Sequence, residues 1–230
     1  MSLQPLKCWK LKLRMLFFQH QVKILMFCKD GHHNTDMKIF DTTKLNQALQ
    51  MLNEQLELRD FPLTEIVVCG GSALIASQLV SRTTQDVDIV AMLEEGKLVT
   101  AQPLPTYLIA AAKRVGDILQ LPEDWLNNGP ASQFDMGLPE GFVHRLQRIR
   151  IGERLVIYYI SRIDQIFFKT FASADRGGYH ITDLKALAPT EEELYAAAIW
   201  CMEQDISEGF RFILAEMLKQ NGWNNVCERL

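Results

Sequence analysis

The sequence lacks any apolar run long enough to cross a membrane. Its uninterrupted apolar stretches are short, such as Ile24 to Cys28, against the ~20 residues a spanning helix needs. It also lacks a cysteine framework: the five cysteines (Cys8, Cys28, Cys69, Cys201, Cys227) are odd in number and form no Cys-x-x-Cys pair. That pattern excludes a disulfide scaffold and fits reduced thiols in a cytoplasm. There is no excess of positive charge either. Lys and Arg total 24 against 28 Asp and Glu, a net charge of -4, so the chain does not grip nucleic acid through bulk charge. Internal repeats and low-complexity tracts are missing, and no apolar core leads to a small-residue cleavage site, which excludes a secretory leader. What remains is a chain of 230 residues, 48% hydrophobic and 23% charged, a globular composition sized for one to two domains.

The charge is unevenly distributed. Residues 1 to 29 hold six bases (Lys7, Lys10, Lys12, Arg14, Lys23, Lys29) and no acid, whereas residues 31 to 230 hold 18 bases and 27 acids. Residues 1–36 therefore read as an N-terminal extension, either an extra hairpin or a segment upstream of a natural start at Met37. Cys28, His32 and His33 lie close together there, but without a fourth ligand they make a weak metal signal.

From Asp41 onward the pattern becomes regular. Leu45, Ala48, Leu49, Leu52 and Leu56 form one helical stripe, with Thr42 or Thr43 as its cap. Ile66 to Cys69 reads as a strand, Gly70-Gly71-Ser72 as a turn into a second helix, and Val87 to Leu93 as another strand. Pro105 opens a helix running to about Leu119, and Glu123 to Pro139 reads as turns. Arg148 to Ile151 and Leu155 to Ile160 suit a hairpin around Gly152-Glu153. Ser161 with Asp164, and Thr190 with Glu193, have capping-box spacing before helices. Ile206, Phe210, Ile213, Leu214, Met217 and Leu218 give the last helix an apolar face. The expected architecture is α/β (α+β): a small mixed sheet flanked by helices over residues 37–160, then a helical lobe over 161–230.

Chemistry concentrates in Val67-Val68-Cys69-Gly70-Gly71-Ser72 and Asp86-Val87-Asp88-Ile89-Val90. Residues two apart on a strand point the same way, so Asp86 and Asp88 share a face, roughly 7 Å apart along the backbone. Two neighbouring acids repel, and a divalent cation such as Mg2+ or Mn2+, which prefers carboxylate and phosphate oxygens, compensates them. Gly70 and Gly71 let backbone amides approach a ligand. The following helix start offers unpaired N–H groups and the positive end of a dipole, and Ser72 adds a hydroxyl. Arg82, Thr83 and Thr84 lie on the return loop, placed either to contact a phosphate oxygen or to brace the acids. Further on, Arg162, Lys169 and Arg176 are spaced by seven and drift only ~20° per step around a helix. They form a basic stripe beside an apolar face of Ile163, Ile166, Phe167 and Phe171. Such a stripe suits the charge of a triphosphate; a solvated helix face is the plain alternative. Trp125, Trp200 and Trp223 read as core or interface residues. His144 and His180 pair with no nucleophile.

The two front motifs resemble the signature of the DNA polymerase beta-like nucleotidyltransferase superfamily. The closer likeness is to the bacterial abortive-infection type, whose members include toxins of toxin-antitoxin pairs: there Gly-Gly-Ser precedes Arg-x-Thr-x-Asp-x-Asp, and here Arg82-Thr83-Thr84-Gln85-Asp86-Val87-Asp88 follows. The resemblance covers about Ile66 to Met202 loosely. It implies that Gly71 and Ser72 bind the phosphates of an NTP and that Asp86 and Asp88 hold the metals. It implies further that Lys169 and Asp183 match a later Lys and Asp, that RNA (tRNA in particular) or a protein side chain accepts the nucleotide, and that an antitoxin is a partner. Pro122-Glu123-Asp124-Trp125-Leu126-Asn127 also resembles a segment of small relatives. One departure stands out. The superfamily carries a third carboxylate on a later strand, but Leu155 to Ile160 contains no acid, and Glu153 sits only at its edge. Asp183 from a helix, a two-acid metal site, and a silent protein that binds a nucleotide or a partner without transfer are the three ways to accommodate this.

Overall fold

The leucine stripe builds the first element. In the computed structural model, whose described residues are 42–76, 84 and 86–230, helix α1 (Thr42–Glu57) buries Leu45, Ala48, Leu49, Leu52 and Leu56. Truncating a leucine as enclosed as Leu49, at 0% exposure, costs about 2–5 kcal/mol. The expectations for residues 1–36, for a start at Met37, for Cys28, His32 and His33, and for Arg82 and Thr83 all lie outside the described residues.

Strand β1 (Thr64–Cys69) runs straight into helix α2 (Gly70–Ala76), which begins three residues earlier than the sequence pattern suggests. Strands β2 (Val87–Glu94) and β3 (Lys97–Thr100) form a hairpin, and helix α3 (Thr106–Leu119) follows. The stretch expected to be turns contains a two-residue strand, β4 (Leu126–Asn127), and a short helix, α4 (Ala131–Met136). Strands β5 (Gln147–Arg150) and β6 (Leu155–Tyr159) make the expected hairpin. The remainder is helical: α5 (Arg162–Asp175), α6 (Tyr179–Ala186), α7 (Glu191–Gln204), α8 (Glu208–Gln220) and α9 (Asn224–Glu228).

The sheet is mixed, with strand order β3-β2-β1-β6-β5 and β4 paired in parallel to the start of β2. β1 is antiparallel to β2 and parallel to β6. One face carries Ile66, Val68, Val87, Ile89, Leu155 and Ile157 against the buried stripes of α1 and α3 and against Trp125. The other carries Val67, Cys69 and Val90 against Phe142, Ile166, Phe168 and the inner faces of α6, α7 and α8. The fold is therefore a small mixed sheet flanked by helices with a helical C-terminal region, as the sequence pattern predicts.

Two local devices set the geometry of the site. The β1–β2 ladder shifts register after Val67, which faces Ala91 while Val68 faces Ile89. This bulge leaves Val90 as the extra residue, so Val90 and Ala91 both reach the helical layer and the strand bends close to its acids. Helix α5 is pinned at its start: Ser161 Oγ accepts from the Asp164 N–H (3.3 Å), and Arg145 donates to both Asp164 oxygens (2.6 and 3.2 Å). Thr190 and Glu193 form the reciprocal capping box anticipated for α7, a device that removes two unpaired N–H donors at once. In the last helix Phe210, Leu214, Met217 and Leu218 are buried as expected, whereas Ile206 lies ahead of the helix at 70% exposure and Ile213 at 41%.

Candidate active site

The glycine turn and the acid pair meet. Cys69, the last residue of β1, lies opposite Asp88 in the antiparallel ladder. Partners in such a ladder point to the same side, and Cys69 points into the helical layer. Asp88 alternates with Val87 and Ile89, which fill the opposite core. The next residue, Gly70, has φ +69°, and a Cβ built on it would lie 2.2 Å from Asp88 Oδ2. The carboxylate thus rests directly on the glycine backbone, in space that any other side chain would occupy. The positive φ makes the same demand independently.

Asp86 is partly buried two residues ahead, and the Thr84 hydroxyl, itself 5% exposed, donates to Asp86 Oδ1 at 3.2 Å. Thr84 orients the acid rather than offering its hydroxyl outward. Burial first, and then the charge of Asp86, push Asp88 up from the ordinary aspartate value to about 6. A hydrogen bond from the Asn127 side chain and the positive charges of Lys169 and Arg176 work against that rise. On balance burial and the Asp86 charge prevail, so the Asp88 carboxyl takes a proton more readily than an ordinary aspartate. Burial and the nearby Asp88 carboxylate raise Cys69 well above the usual thiol value, so this cysteine is a neutral packing residue, and Cys201 is likewise held neutral by burial.

Helix α5 supplies the far wall. Gln165 Nε2 reaches the Gly70 carbonyl oxygen at 3.4 Å. One turn on, the Lys169 ammonium, 6% exposed, donates to Asp183 Oδ2 at 2.7 Å and sits 5.5 Å from the centroid of the Tyr179 ring. Asp183 is the fifth residue of α6, just past its first turn, and forms a buried ion pair with Lys169. Arg176, at the end of α5, is exposed and contacts Asp175 at 3.5 Å.

Not every expected residue joins this group. Arg162 turns the other way: its guanidinium donates to Glu193 Oε1 (2.7 Å) and to the carbonyl oxygens of Leu187 (2.9 Å) and Ala188 (2.7 Å). It ties α5 to the α6–α7 connection. Ser72 Oγ is fully buried and donates to the Cys69 carbonyl oxygen at 3.4 Å, which leaves the backbone of Gly71 and Ser72 as their contribution to the corner. Arg82 lies outside the described residues. Trp125 and Trp200 are core, at 1% and 6% exposure.

Asn127 is the site residue that the sequence pattern hides. It pairs with Asp88 across the β2–β4 ladder, its Oδ1 accepts from the Gly129 N–H at 2.8 Å, and its side chain also bonds the Asp88 carboxylate. Its only signal was membership of Pro122-Glu123-Asp124-Trp125-Leu126-Asn127. Tyr158 on strand β6, and Ile160 just past its end, face the helical layer, and between Leu155 and Ile160 there is no acid. Among the described residues no group of three or more His, Cys, Asp or Glu is arranged to hold a metal by itself. No described helix is long and apolar enough to cross a membrane. Two shallow hollows of about 210 and 200 Å3, beside Trp125 and Phe142, are lined by neither acid.

Residues 43–188, more than half of the chain, match the model of a family described as nucleotidyltransferase of unknown function (DUF6036). No curated protein and no solved structure matches. The chain belongs to that nucleotidyltransferase family.

Proposed function

We propose that the chain, as a member of that family, transfers a nucleoside monophosphate from an NTP to an acceptor hydroxyl on a polymerase beta-like core. The observation that carries this reading is the seating of the Asp88 carboxylate on the Gly70 turn. It brings an acid pair and a glycine backbone corner to one place. Asp86 and Asp88 would hold Mg2+ or Mn2+, and the donor set fits: two hard carboxylate oxygen donors whose mutual repulsion a cation relieves. When bound, such an ion supplies charge neutralisation and in-line alignment of the triphosphate.

The chain's own groups divide the remaining work. Gly70 and Gly71 keep side chains out of the corner, and the start of α2 offers N–H donors to phosphate oxygens. Thr84 and Asn127 orient the two acids. Lys169 and Arg176 place positive charge where the triphosphate gathers negative charge. The acceptor oxygen bonds to the α-phosphorus, the bond from that phosphorus to the bridging oxygen breaks, pyrophosphate leaves, and the hydroxyl proton passes to solvent. The acceptor in this reading is an RNA, tRNA in particular, or a protein hydroxyl, and the setting is a toxin held by an antitoxin partner. Both rest on the likeness of the Arg82-to-Asp88 segment to the abortive-infection type.

One observation favours a second reading. With no acid on β6, the group that would take the acceptor proton is absent from its usual strand, so a silent protein that binds nucleotide or a partner on the same fold is the alternative. Calorimetry with NTP and Mg2+, followed by transfer of an α-phosphate label to cellular RNA and protein, separates the two. Binding with transfer supports the enzyme, and binding without transfer supports the silent protein. A wild type that binds no nucleotide, or an Asp86→Ala/Asp88→Ala variant that binds unchanged, refutes the enzyme reading and leaves of the silent reading only its partner-binding form.

A further inference from the structure

Resting on the reading of Asp86 and Asp88 as metal-binding acids, we propose that Gln165 is a positioning residue for Asp88 and that it acts through Gly70. The need for such a residue arises at the turn. Gly70 has to be a glycine, because the Asp88 carboxylate occupies the space of a side chain, 2.2 Å from where a Cβ would lie. Gly71 follows at once. Two successive glycines make the least restrained backbone a chain can have. The floor under Asp88 therefore has little stiffness of its own and has to be held from outside. Gln165 provides a hold: its Nε2 donates to the Gly70 carbonyl oxygen at 3.4 Å. The amide from α5 and the carboxylate from β2 thus meet on the same residue. Fixing the carbonyl group fixes the neighbouring Cα on which the carboxylate rests, and a cation shared with Asp86 needs that carboxylate in one place.

Helix α5 is a firm base for this hold. Asp164, the residue before Gln165, is fully buried and accepts from Arg145 at 2.6 and 3.2 Å and from the Ser161 hydroxyl at 2.6 Å. One turn further on, Lys169 is tied to Asp183 at 2.7 Å. The helix is thus anchored on both sides of Gln165, and a support held this way can pass its rigidity to the residue it touches. Stability alone does not account for a glutamine here. Gln165 is 1% exposed, and its Oε1 is buried without a hydrogen-bond partner. A buried amide left half unpaired is less stable than an apolar side chain of similar size, and ordering so long a side chain costs rotamer freedom as well. The one bond it makes is long, and the recipient is the turn that seats Asp88. A local rule broken with no gain in stability is what a functional position looks like.

The test is titration of the full chain with Mn2+, with and without ATP, beside thermal unfolding in the absence of metal. Gln165→Leu and Gln165→Met keep the bulk of the side chain and remove its amide. Both are expected to weaken Mn2+ binding about 3- to 10-fold, the worth of one hydrogen bond. Their melting temperature is expected to stay level or rise, because the unpaired Oε1 is gone. In a Gly70→Ala background, where the seat is already disturbed, Gln165→Leu is expected to change Mn2+ affinity by less than about twofold. The proposal is overturned if both Gln165 variants bind Mn2+ as the wild type does, or if both melt lower or fail to fold, which is the mark of a merely structural residue. It is also overturned if Gln165→Leu has its full effect on affinity in the Gly70→Ala background, since the residue then does not act through the turn. A wild type that binds no Mn2+, or an Asp86→Ala/Asp88→Ala variant that binds it unchanged, sinks the metal reading and this proposal with it. Loss of binding in that variant with no effect of the Gln165 changes sinks this proposal alone.

Discussion

Replacing Gly70 by alanine tests the contact on which the site is built. The backbone at Gly70 has φ +69°, where an L residue costs about 1–2 kcal/mol. The new methyl carbon would also lie 2.2 Å from Asp88 Oδ2, so the carboxylate must swing away or the strand must shift. Together these effects are expected to destabilise the fold by about 1–3 kcal/mol, a fall of roughly 3–10 °C in Tm for a chain of this size. Displacement of the Asp88 oxygen should also weaken Mg2+–NTP binding at least about tenfold, since each 1.4 kcal/mol of lost interaction is a factor of ten. A double-mutant cycle separates strain from collision. Asp88→Ala removes the atom that the methyl group meets, so Gly70→Ala should destabilise less in the Asp88→Ala background than in the wild type. Urea denaturation of the four proteins measures this. Additive effects, or a Gly70→Ala protein that binds nucleotide normally, would show that the carboxylate does not rest on the glycine.

Three further outcomes are expected. Asp88 is raised to about 6, so its native form holds a proton more tightly than the unfolded chain does. Its contribution is harmless below about pH 4, turns into a penalty as pH rises to about 6, and persists above; by linkage the penalty is at most ~3 kcal/mol. Asp88→Asn should accordingly stabilise the metal-free protein at pH 7 and flatten its denaturation midpoint between pH 4 and 6, and Mg2+ should stabilise the wild type but not this variant. Arg162→Ala should cost about 1–2 kcal/mol in thermal unfolding through the lost charge-assisted bonds to Glu193 and two carbonyl oxygens, with NTP affinity unchanged; a large loss of affinity would put Arg162 back at the phosphates. Removing only one partner of the buried Lys169–Asp183 pair, as in Lys169→Met, should destabilise by about 3–5 kcal/mol, and Lys169→Met/Asp183→Leu should recover part of that loss; chemical denaturation decides, and a double variant no better than the single would refute it.

Most of the scaffold was legible because its elements announce themselves locally. The α1 stripe, the β5–β6 hairpin and the caps at Ser161 and Thr190 each depend on residues within a few positions of one another. The meeting of Gly70 with Asp88 was legible as well, from two motifs joined by one helix and a return loop. The parts that were not legible depend on partners distant in the chain. Asn127 reads as a turn residue until β4 pairs with β2. Arg162 belongs to a basic stripe by spacing, yet Glu193 and two helix-end carbonyl groups compete for it, and no periodicity reveals that contest. Ser72 reads as a phosphate donor, but its hydroxyl is spent on the strand it follows.

The aromatic packing of α5 bears on how this protein can be dissected. The family match ends at residue 188, which invites a trimmed recombinant fragment. Phe167, Phe168 and Phe171 on that helix, however, lean on Trp200 and Phe210, both of which lie downstream of that limit. A fragment cut there would strip these aromatic partners from three phenylalanines on the helix that carries Lys169 and would be prone to self-association. Domain-boundary work on this chain should therefore keep α7 and α8 together with the matched segment.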